Sequence, residues 1–548
     1  MNARLPVRKS GRMTTDCTED TDAKVASIQE AGKLQTPRKC KVERKREEGR
    51  PAPGARAIRA IREIRGSALR SVAAVLACAC AAAAAERPNV LFLAADDLRN
   101  DLGCYGHPMV KTPNLDRLAA RGVLFERAYC QQALCNPSRA SLMTGRRPDT
   151  LRLWNLTKHF RDEIPDVVTL PQHFRAAGYF AQNVGKIYHN FRQEIQGDPA
   201  SWNVPAVLHY GNHHDDKPVM DGEPPPNLAE DPKCQCCDVP DEAYYDGRVA
   251  KLAVEALRER AAKPEPFFLA VGFWKPHSPF NAPKRYWDLY RRGDVPMPAN
   301  AGWPADAPRI AWHNSREILG EPARALPPAA VREIRHGYLA NISYLDAQVG
   351  KVLGELERLG LADRTIVVFW SDHGYHLGEQ ALWAKTSNFE LDARVPLIVA
   401  APGLRGGVRT RALAELLDLY PTLAELAGLP VPAGVDGTSL VPALKDPAVS
   451  VKPAALTQHP RPAYYKGAPE AMGYSLRTDR HRYVEWRDWT NGTVVARELY
   501  DHGADPAEAR NVAGDPANAA ALAGAAERLK TLKPVAGTLP GTARKDAR

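Results

Sequence analysis

Pro88-Asn89-Val90-Leu91-Phe92-Leu93-Ala94-Ala95-Asp96-Asp97 is a continuous apolar run that ends in two carboxylates. A run without polar alternation is the pattern of a strand buried on both faces, as in a mostly parallel sheet covered by helices on each side. Ligand sites of open α/β sheets lie just beyond the carboxyl ends of such strands. Asp96 and Asp97 therefore read in two ways: as metal ligands, or as the cap and acidic first turn of a following helix.

The pattern recurs downstream. Pro266 to Phe273 runs into Trp274-Lys275-Pro276-His277, and Thr365 to Trp370 runs into Ser371-Asp372-His373-Gly374. Val395 to Ala400 is a further buried run, and Tyr179 to Val184 reads as a strand leading to Gly185-Lys186-Ile187-Tyr188-His189. Helical patterns cover Asn114 to Gly122, Ser138 to Thr144, Leu170 to Ala177, Leu339 to Leu359 and residues 412–428. Strands alternating with helices predict an α/β architecture. Beyond about residue 450, short β-like runs such as Gly473 to Arg477 and Tyr483 to Trp486 predict a smaller C-terminal α+β domain with an antiparallel sheet. The expected divisions are a disordered leader and secretory signal (1–86), a large domain (87–449), the smaller domain (450–535) and a tail (536–548).

Residues 1–86 carry 18 Lys/Arg against 10 Asp/Glu, so eight of the ten excess positive charges lie there. The rest of the chain is nearly balanced, which removes the charge argument for a nucleic-acid surface. Arg56, Arg59, Arg62, Arg65 and Arg70 precede an apolar run of roughly 14 residues and then Ala81 to Ala85. That is the layout of a secretory signal, and the run is shorter than the ~18–20 residues of a membrane span. The expected location is exported: periplasmic, secreted or at the cell surface. Ten cysteines occur, four of them before residue 87. Cys234-Gln235-Cys236-Cys237 lacks four ligands at zinc spacing, so we expect a loop closed by a disulfide there.

Cys135-Asn136-Pro137-Ser138-Arg139 continues into Ala140-Ser141-Leu142-Met143-Thr144-Gly145-Arg146-Arg147-Pro148. A helix opening at this run offers free amides to an anion. Asp96, Asp97 and Asp372 supply oxygen ligands of the kind that suit a hard cation, Ca²⁺ or Mg²⁺.

The Cys135 run resembles the C-x-P-S-R, x-x-L-x-T-G signature of the sulfatase family. The resemblance extends over residues 87–515, specifically to the iduronate-2-sulfatase-like branch. It is carried by Asn89 to Arg99, Gly185 to His189, Phe267 to Phe280, Ser371 to Glu379, Trp383 to Phe389, Gln458 to Pro462, Met472 to Thr478 and Glu498 to Asp501. It implies an alkaline phosphatase-like fold: a large mixed, mostly parallel sheet flanked by helices. It implies that Cys135 is converted to Cα-formylglycine by a formylglycine-generating maturation enzyme. It implies that Asp96, Asp97, Cys135, Asp372 and His373 surround one divalent cation, Ca²⁺ in preference to Mg²⁺. Arg139 would hold the hydrated aldehyde. Lys186, His189, His277 and Lys385 match positions that bind sulfate and transfer protons. The expected reaction passes through a covalent sulfate, which leaves when His189 deprotonates the second hydroxyl of the hydrate.

The expected activity is hydrolysis of sulfate esters on a sulfated saccharide, with 2-O-sulfated uronic acid as the substrate class. Asn190 to Glu242, rich in Pro, Asp and His, resembles the family least and is expected to shape the pocket. Two other readings stay open: a phosphonate or phosphate ester hydrolase of the same superfamily, and a catalytically silent carbohydrate-binding relative.

Overall fold

In a computed structural model of the chain, residues 87–189, 197–209, 234–320, 324–464 and 467–532 are described. The expected leader and signal, most of the 190–242 segment and the 536–548 tail lie outside the described residues. The strands, numbered along the chain, are β1 (Asn89–Asp96), β2 (Val123–Tyr129), β3 (Phe180–Gly185), β4 (Cys234–Cys237), β5 (Phe267–Pro276), β6 (Phe280–Pro283), β7 (Thr365–Ser371) and β8 (His376–Leu377). They continue with β9 (Trp383–Ala384), β10 (Arg394–Ala400), β11 (Val408–Glu415), β12 (Ala455–Arg461), β13 (Ala471–Arg477), β14 (His481–Asp488) and β15 (Val494–Asp501).

Seven strands form one sheet in the order β11-β2-β10-β7-β1-β5-β3. Only β10 runs against its neighbours, β7 and β2; the other pairings in this sheet are parallel. The unbroken apolar runs do what their pattern predicts. Leu91, Leu93 and Ala95 enter the core on one face, while Val90, Phe92 and Ala94 enter the core on the other. Val367 and Phe369 alternate with Ile366, Val368 and Trp370 in the same way. Burial of both faces removes each such side chain from water, worth roughly 1.5–3 kcal/mol per large aliphatic or aromatic residue. The fold is thus α/β with a mixed, mostly parallel sheet.

A separate antiparallel sheet, β12-β13-β14-β15, packs with the helix Ala519–Leu532 through Leu476, Leu499, Ala525 and Leu529. Its first strand is tied to the loop that leads into Cys135. Gln458 N–H donates to the Gln131 carbonyl at 2.8 Å, and Thr457 Oγ1 donates to the Cys130 carbonyl at 2.7 Å.

Three expectations are corrected. Residues 412–428 are not one helix: Ala412–Glu415 end β11, a 3₁₀ turn covers Leu416–Asp418, and the helix is Leu419–Leu426. Ala412 and Ala414 fill a core face beside β2, so sheet pairing overrides the helical propensity of that run. Pro421 falls in the first helical turn, where its missing N–H costs nothing. The long helix begins at Pro328, well before Leu339, with Pro in the first-turn position that favours a start. Cys234-Gln235-Cys236-Cys237 is β4, a short strand parallel to β6, and its cysteines are free thiols. Extended backbone points neighbouring Cβ atoms to opposite faces, so Cys236 is exposed while Cys237 packs among Tyr244, Tyr286 and Trp287.

Candidate active site

Adjacent parallel strands deliver the carboxylates. β1 ends in Asp96, and its neighbour β7 ends in Ser371, so Asp372 and His373 emerge beside Asp96 and Asp97. Asp97 sits at φ 64°, a left-handed conformation that costs a non-glycine residue about 1 kcal/mol. It is held there from three sides. Its N–H donates to Asp372 Oδ1 at 3.1 Å, Tyr338 O–H donates to its carbonyl at 2.7 Å, and the next amide, of Leu98, donates to Ser371 Oγ at 2.9 Å.

Cys135 is the first residue of the helix Cys135–Thr144, which is buried along its whole length. Its Sγ lies 3.5 Å from Asp96 Oδ1 and 3.4 Å from His373 Nε2. Burial, reinforced by Asp96, pushes the thiol well above its ordinary pKa, so the encoded side chain is a poor thiolate nucleophile.

Lys186 follows β3 at a point where two glycines let backbones touch. A Cβ on Gly185 would fall 2.0 Å from the Gly272 carbonyl oxygen, and one on Gly272 would fall 1.9 Å from that of Lys186. The Lys186 ammonium pairs with Asp96. Burial alone would raise Asp96, but Lys186 and Arg139 hold it well below the usual carboxylate range. Arg139 is fully buried, and its guanidinium is spent on the protein. Nε donates to Asp372 Oδ2 at 2.8 Å, and the other nitrogens donate to the carbonyls of Lys186, Ile187 and Ala95 at 2.7, 3.1 and 3.1 Å.

Lys385 lies between Ala384 and Thr386, both at positive φ (65° and 91°). Its Nζ is 2.9 Å from Asp97 Oδ2, 2.9 Å from Glu317 Oε2 and 3.0 Å from His277 Nε2. The His277 tautomer follows from its partners. Nδ1 lies 2.6 Å from the Ser278 carbonyl, which only accepts, so Nδ1 carries the proton and Nε2 faces Lys385 bare. Burial and the Lys385 charge push His277 down to about 3, so it is neutral. His373 follows the same logic: Nδ1 donates to the Gly374 carbonyl at 2.9 Å and leaves Nε2 bare, 3.3 Å from Asp97 Oδ1. A backbone carbonyl behind one ring nitrogen is the usual support of a metal-ligating histidine. His189 is buried, and burial with Lys186 holds it well below its ordinary pKa, in the neutral form.

The charges decide whether a cation fits. Four carboxylates (Asp96, Asp97, Asp372, Glu317) face three cations (Arg139, Lys186, Lys385), with the imidazoles neutral. Burial pushes Asp97 well above the usual range, and Asp96, Glu317 and Asp372 add to it while Lys385 opposes it. A surplus of negative charge at oxygen donors, with a bare imidazole nitrogen among them, fits a hard divalent cation. Asp96, Cys135, Asp372 and His373 form one group with metal-ligand spacing, and Asp96, Asp97, Cys135 and His277 form an overlapping one.

Sequence reading missed Glu317. Its Oε1 accepts from Ser278 Oγ at 3.0 Å and Tyr375 O–H at 3.2 Å, while Oε2 holds Lys385. It stands on a one-turn helix, Arg316–Leu319, with no motif or periodicity to announce it. His376, beside the Asp372 motif, does not face the site: both ring nitrogens are bonded inside the core, to Asp392 and Gln380.

Comparison with known proteins agrees with this geometry. The family model described as Sulfatase matches residues 88–429, and the one described as N-sulphoglucosamine sulphohydrolase, C-terminal, matches residues 378–534. Iduronate 2-sulfatase of Mus musculus is 35% identical over 510 residues, covering 79% of this chain and 92% of its own length. Among solved structures, the phosphonate monoester hydrolase of Silicibacter pomeroyi superposes with a TM-score of 0.66 at 26% identity, covering 81% of this chain and 94% of that one. A 2-O GAG sulfatase superposes with a TM-score of 0.64 at 25% identity, covering 81% and 92%. A matched domain over more than half the chain, which takes in the Cys135 helix and the carboxylates at the carboxyl ends of β1 and β7, means that this chain belongs to the sulfatase family, as a sulfuric ester hydrolase like the iduronate 2-sulfatases.

Proposed function

We propose that the chain is an exported, formylglycine-dependent sulfatase that removes sulfate from saccharides, with 2-O-sulfated uronic acid as its substrate class. Export is supported by the basic, apolar and small-residue order of Arg56 to Ala85. The substrate class is supported by the names of two relatives, an iduronate 2-sulfatase and a 2-O GAG sulfatase. The observation that carries the reaction is the convergence of Cys135 with Asp96 and His373 in a pocket whose carboxyl groups outnumber its cationic side chains by one.

Asp96, Asp97, Asp372 and His373 would hold Ca²⁺, in preference to Mg²⁺, and when bound it would offset the charge of the sulfate ester. Cys135 matured to Cα-formylglycine would supply the attacking hydroxyl. The chain's own side chains do the rest. Lys186 and Lys385 stabilise negative charge on the sulfate oxygens in the transition state. Lys385 is the protonated group that would supply a proton to the leaving oxygen, and His277 Nε2 at 3.0 Å is poised to share that proton. His189, held neutral, is the base that accepts a proton when the nucleophile is regenerated. Arg139 keeps Asp372 and the ends of β1 and β3 in register. Glu317 orients Lys385.

A hydrazide probe followed by peptide mapping across Cys135 tests the nucleophile; absence of an aldehyde on protein from a maturation-competent host would refute it. Turnover of defined sulfated saccharides, set against phosphate and phosphonate esters, tests the substrate. The second comparison is needed because a phosphonate monoester hydrolase shares the fold at 26% identity. Preference for the phosphorus esters would transfer the chain to that activity.

A further inference from the structure

A cleft of about 390 Å³ lies where β2, β10 and the edge strand β11 meet the turns of the smaller sheet. That volume is within the range of about 300–1,000 Å³ typical of small-ligand sites. Five arginines line it: Arg127, Arg394, Arg411, Arg477 and Arg480. Three acids share the wall, but each is already matched. Glu126 pairs with Arg409 at 2.9 Å, outside the cleft. Asp479 pairs with Arg127 at 2.7 Å, and Glu390 pairs with Arg477 at 3.3 Å and with buried Arg482. Arg480 is held by Asp501 at 2.6 Å. Arg394 spends only its Nε, on the Glu126 carbonyl at 2.7 Å. Among the described residues, neither Arg394 nor Arg411 has a carboxylate at ion-pair distance, and Arg411 is exposed.

Charged residues on an edge strand commonly serve to prevent edge-to-edge pairing. That accounts for Arg409 and Arg411, which alternate outward along β11. It does not account for Arg394, on β10 inside the sheet, or for Arg127 and Arg477, which approach the same space from two other strands. Guanidinium groups converging from separate elements, with positive charge left over, suit oxyanions held by forked hydrogen bonds.

We propose that this cleft binds an anionic segment of the saccharide chain: a sulfate or carboxylate group on a sugar remote from the one that loses its sulfate. The inference rests on the saccharide reading above and extends it from a single sugar to a polyanionic chain. A substrate carrying several anions would then be held at two places, and the second would raise its effective concentration at the first. Small sulfate esters would use only the catalytic pocket.

Binding is measured on Cys135→Ala protein, so that hydrolysis plays no part, with size-defined heparin oligosaccharides, neutral dextran and inorganic sulfate as probes. Arg411→Glu, at an exposed side chain without a partner, is expected to weaken heparin binding roughly three- to tenfold. Arg394→Gln, checked for an unchanged melting temperature, is expected to do the same. The effect should shrink as salt is raised. In the mature enzyme, KM for a sulfated oligosaccharide rises while kinetics on 4-nitrophenyl sulfate stay put. Unchanged heparin affinity in both variants overturns the proposal. So does inorganic sulfate binding there as tightly as heparin, which would mean an adventitious ion only. Arg411-dependent heparin binding without hydrolysis of any sulfate ester would instead sink the proposed function alone.

Discussion

Asp96, Cys135, Asp372 and His373 bring their ligand atoms within 4.8 Å of one another, and so do Glu390, His502 and Glu508. By residue type and spacing both groups qualify as metal sites. Their surroundings differ. Arg482 Nε meets Glu508 Oε1 at 2.6 Å and its other end meets Glu390, which also pairs with Arg477. Burial would raise both glutamates, yet the arginines hold both below the usual carboxylate range. That cluster is charge-balanced, although Glu390, Arg477 and His502 also line the arginine-rich cleft. At the Cys135 site the cations are one short, and Asp97 is pushed up rather than down. The same side chains thus build a structural clamp in one place and a cation site in the other, and the count of neighbouring positive charges decides which.

The largest expected effect breaks the catalytic side of this contrast. Cys135→Ala should lower turnover by on the order of 10³-fold or more, as removal of a nucleophile does, while circular dichroism and melting stay near wild type. Substantial residual turnover would remove Cys135 from the mechanism. Next come paired substitutions in the two clusters. Asp97→Asn removes the surplus carboxyl group, whose ionisation burial already opposes, so the metal-free protein should melt no lower than wild type, and turnover should be lost. Ca²⁺ at 100 times its Kd should stabilise wild type by about 2.7 kcal/mol and leave Asp97→Asn where it was. Glu508→Gln should do the reverse. It leaves part of the buried Arg482 charge unmatched and should cost about 3–5 kcal/mol in a denaturant titration, with activity per folded molecule retained. If Ca²⁺ stabilised Glu508→Gln by clearly more than it stabilises wild type, or failed to stabilise wild type, the distinction between clamp and cation site would fail.

Much of the catalytic side was legible in the chain because its residues sit at the ends of runs with one meaning. An apolar stretch buried on both faces has to stop where water begins, and Asp96, Asp97, Asp372 and His373 stand at those stops. Cys135 was legible through its motif. Glu317 was not, since a one-turn helix has no periodicity and the residue matters only because the chain folds Ser278, Tyr375 and Lys385 around it. The Glu390–Arg482–Glu508 clamp was silent for a similar reason: its members lie 92 and 26 positions apart and touch only in the folded state. Residues 412–428 were misread because Ala, Leu and Glu favour a helix in isolation, while the place beside β2 demanded a strand.

The contrast between open and closed charge can be sharpened down to two histidines three residues apart. His373 keeps a bare Nε2 toward the cation site. His376 has both nitrogens engaged, Nδ1 at 2.7 Å from Asp392 Oδ1 and Nε2 at 2.7 Å from Gln380 Oε1. The Gln380 amide cannot turn round, because its Nε2 donates to the Ala507 and Glu508 carbonyls at 3.2 Å each. Its oxygen must therefore accept, and His376 Nε2 must carry a proton as well as Nδ1. Burial alone would push His376 down, but the Asp392 carboxylate and the Gln380 hydrogen bond raise it above its ordinary 6.5. A histidine whose folded pKa lies above its unfolded one adds stability that is full below about pH 6.5 and is lost as pH climbs through the folded value. Each unit of elevation is worth about 1.4 kcal/mol. The stability gap between wild type and His376→Gln, read from urea midpoints, should therefore be widest at pH 6 and narrow toward pH 9. A gap that stays constant over that range would mean a neutral ring, and Asp392, which also holds Ser387 N–H and Oγ at 2.9 and 2.6 Å beside Lys385, would then carry its charge without the imidazolium.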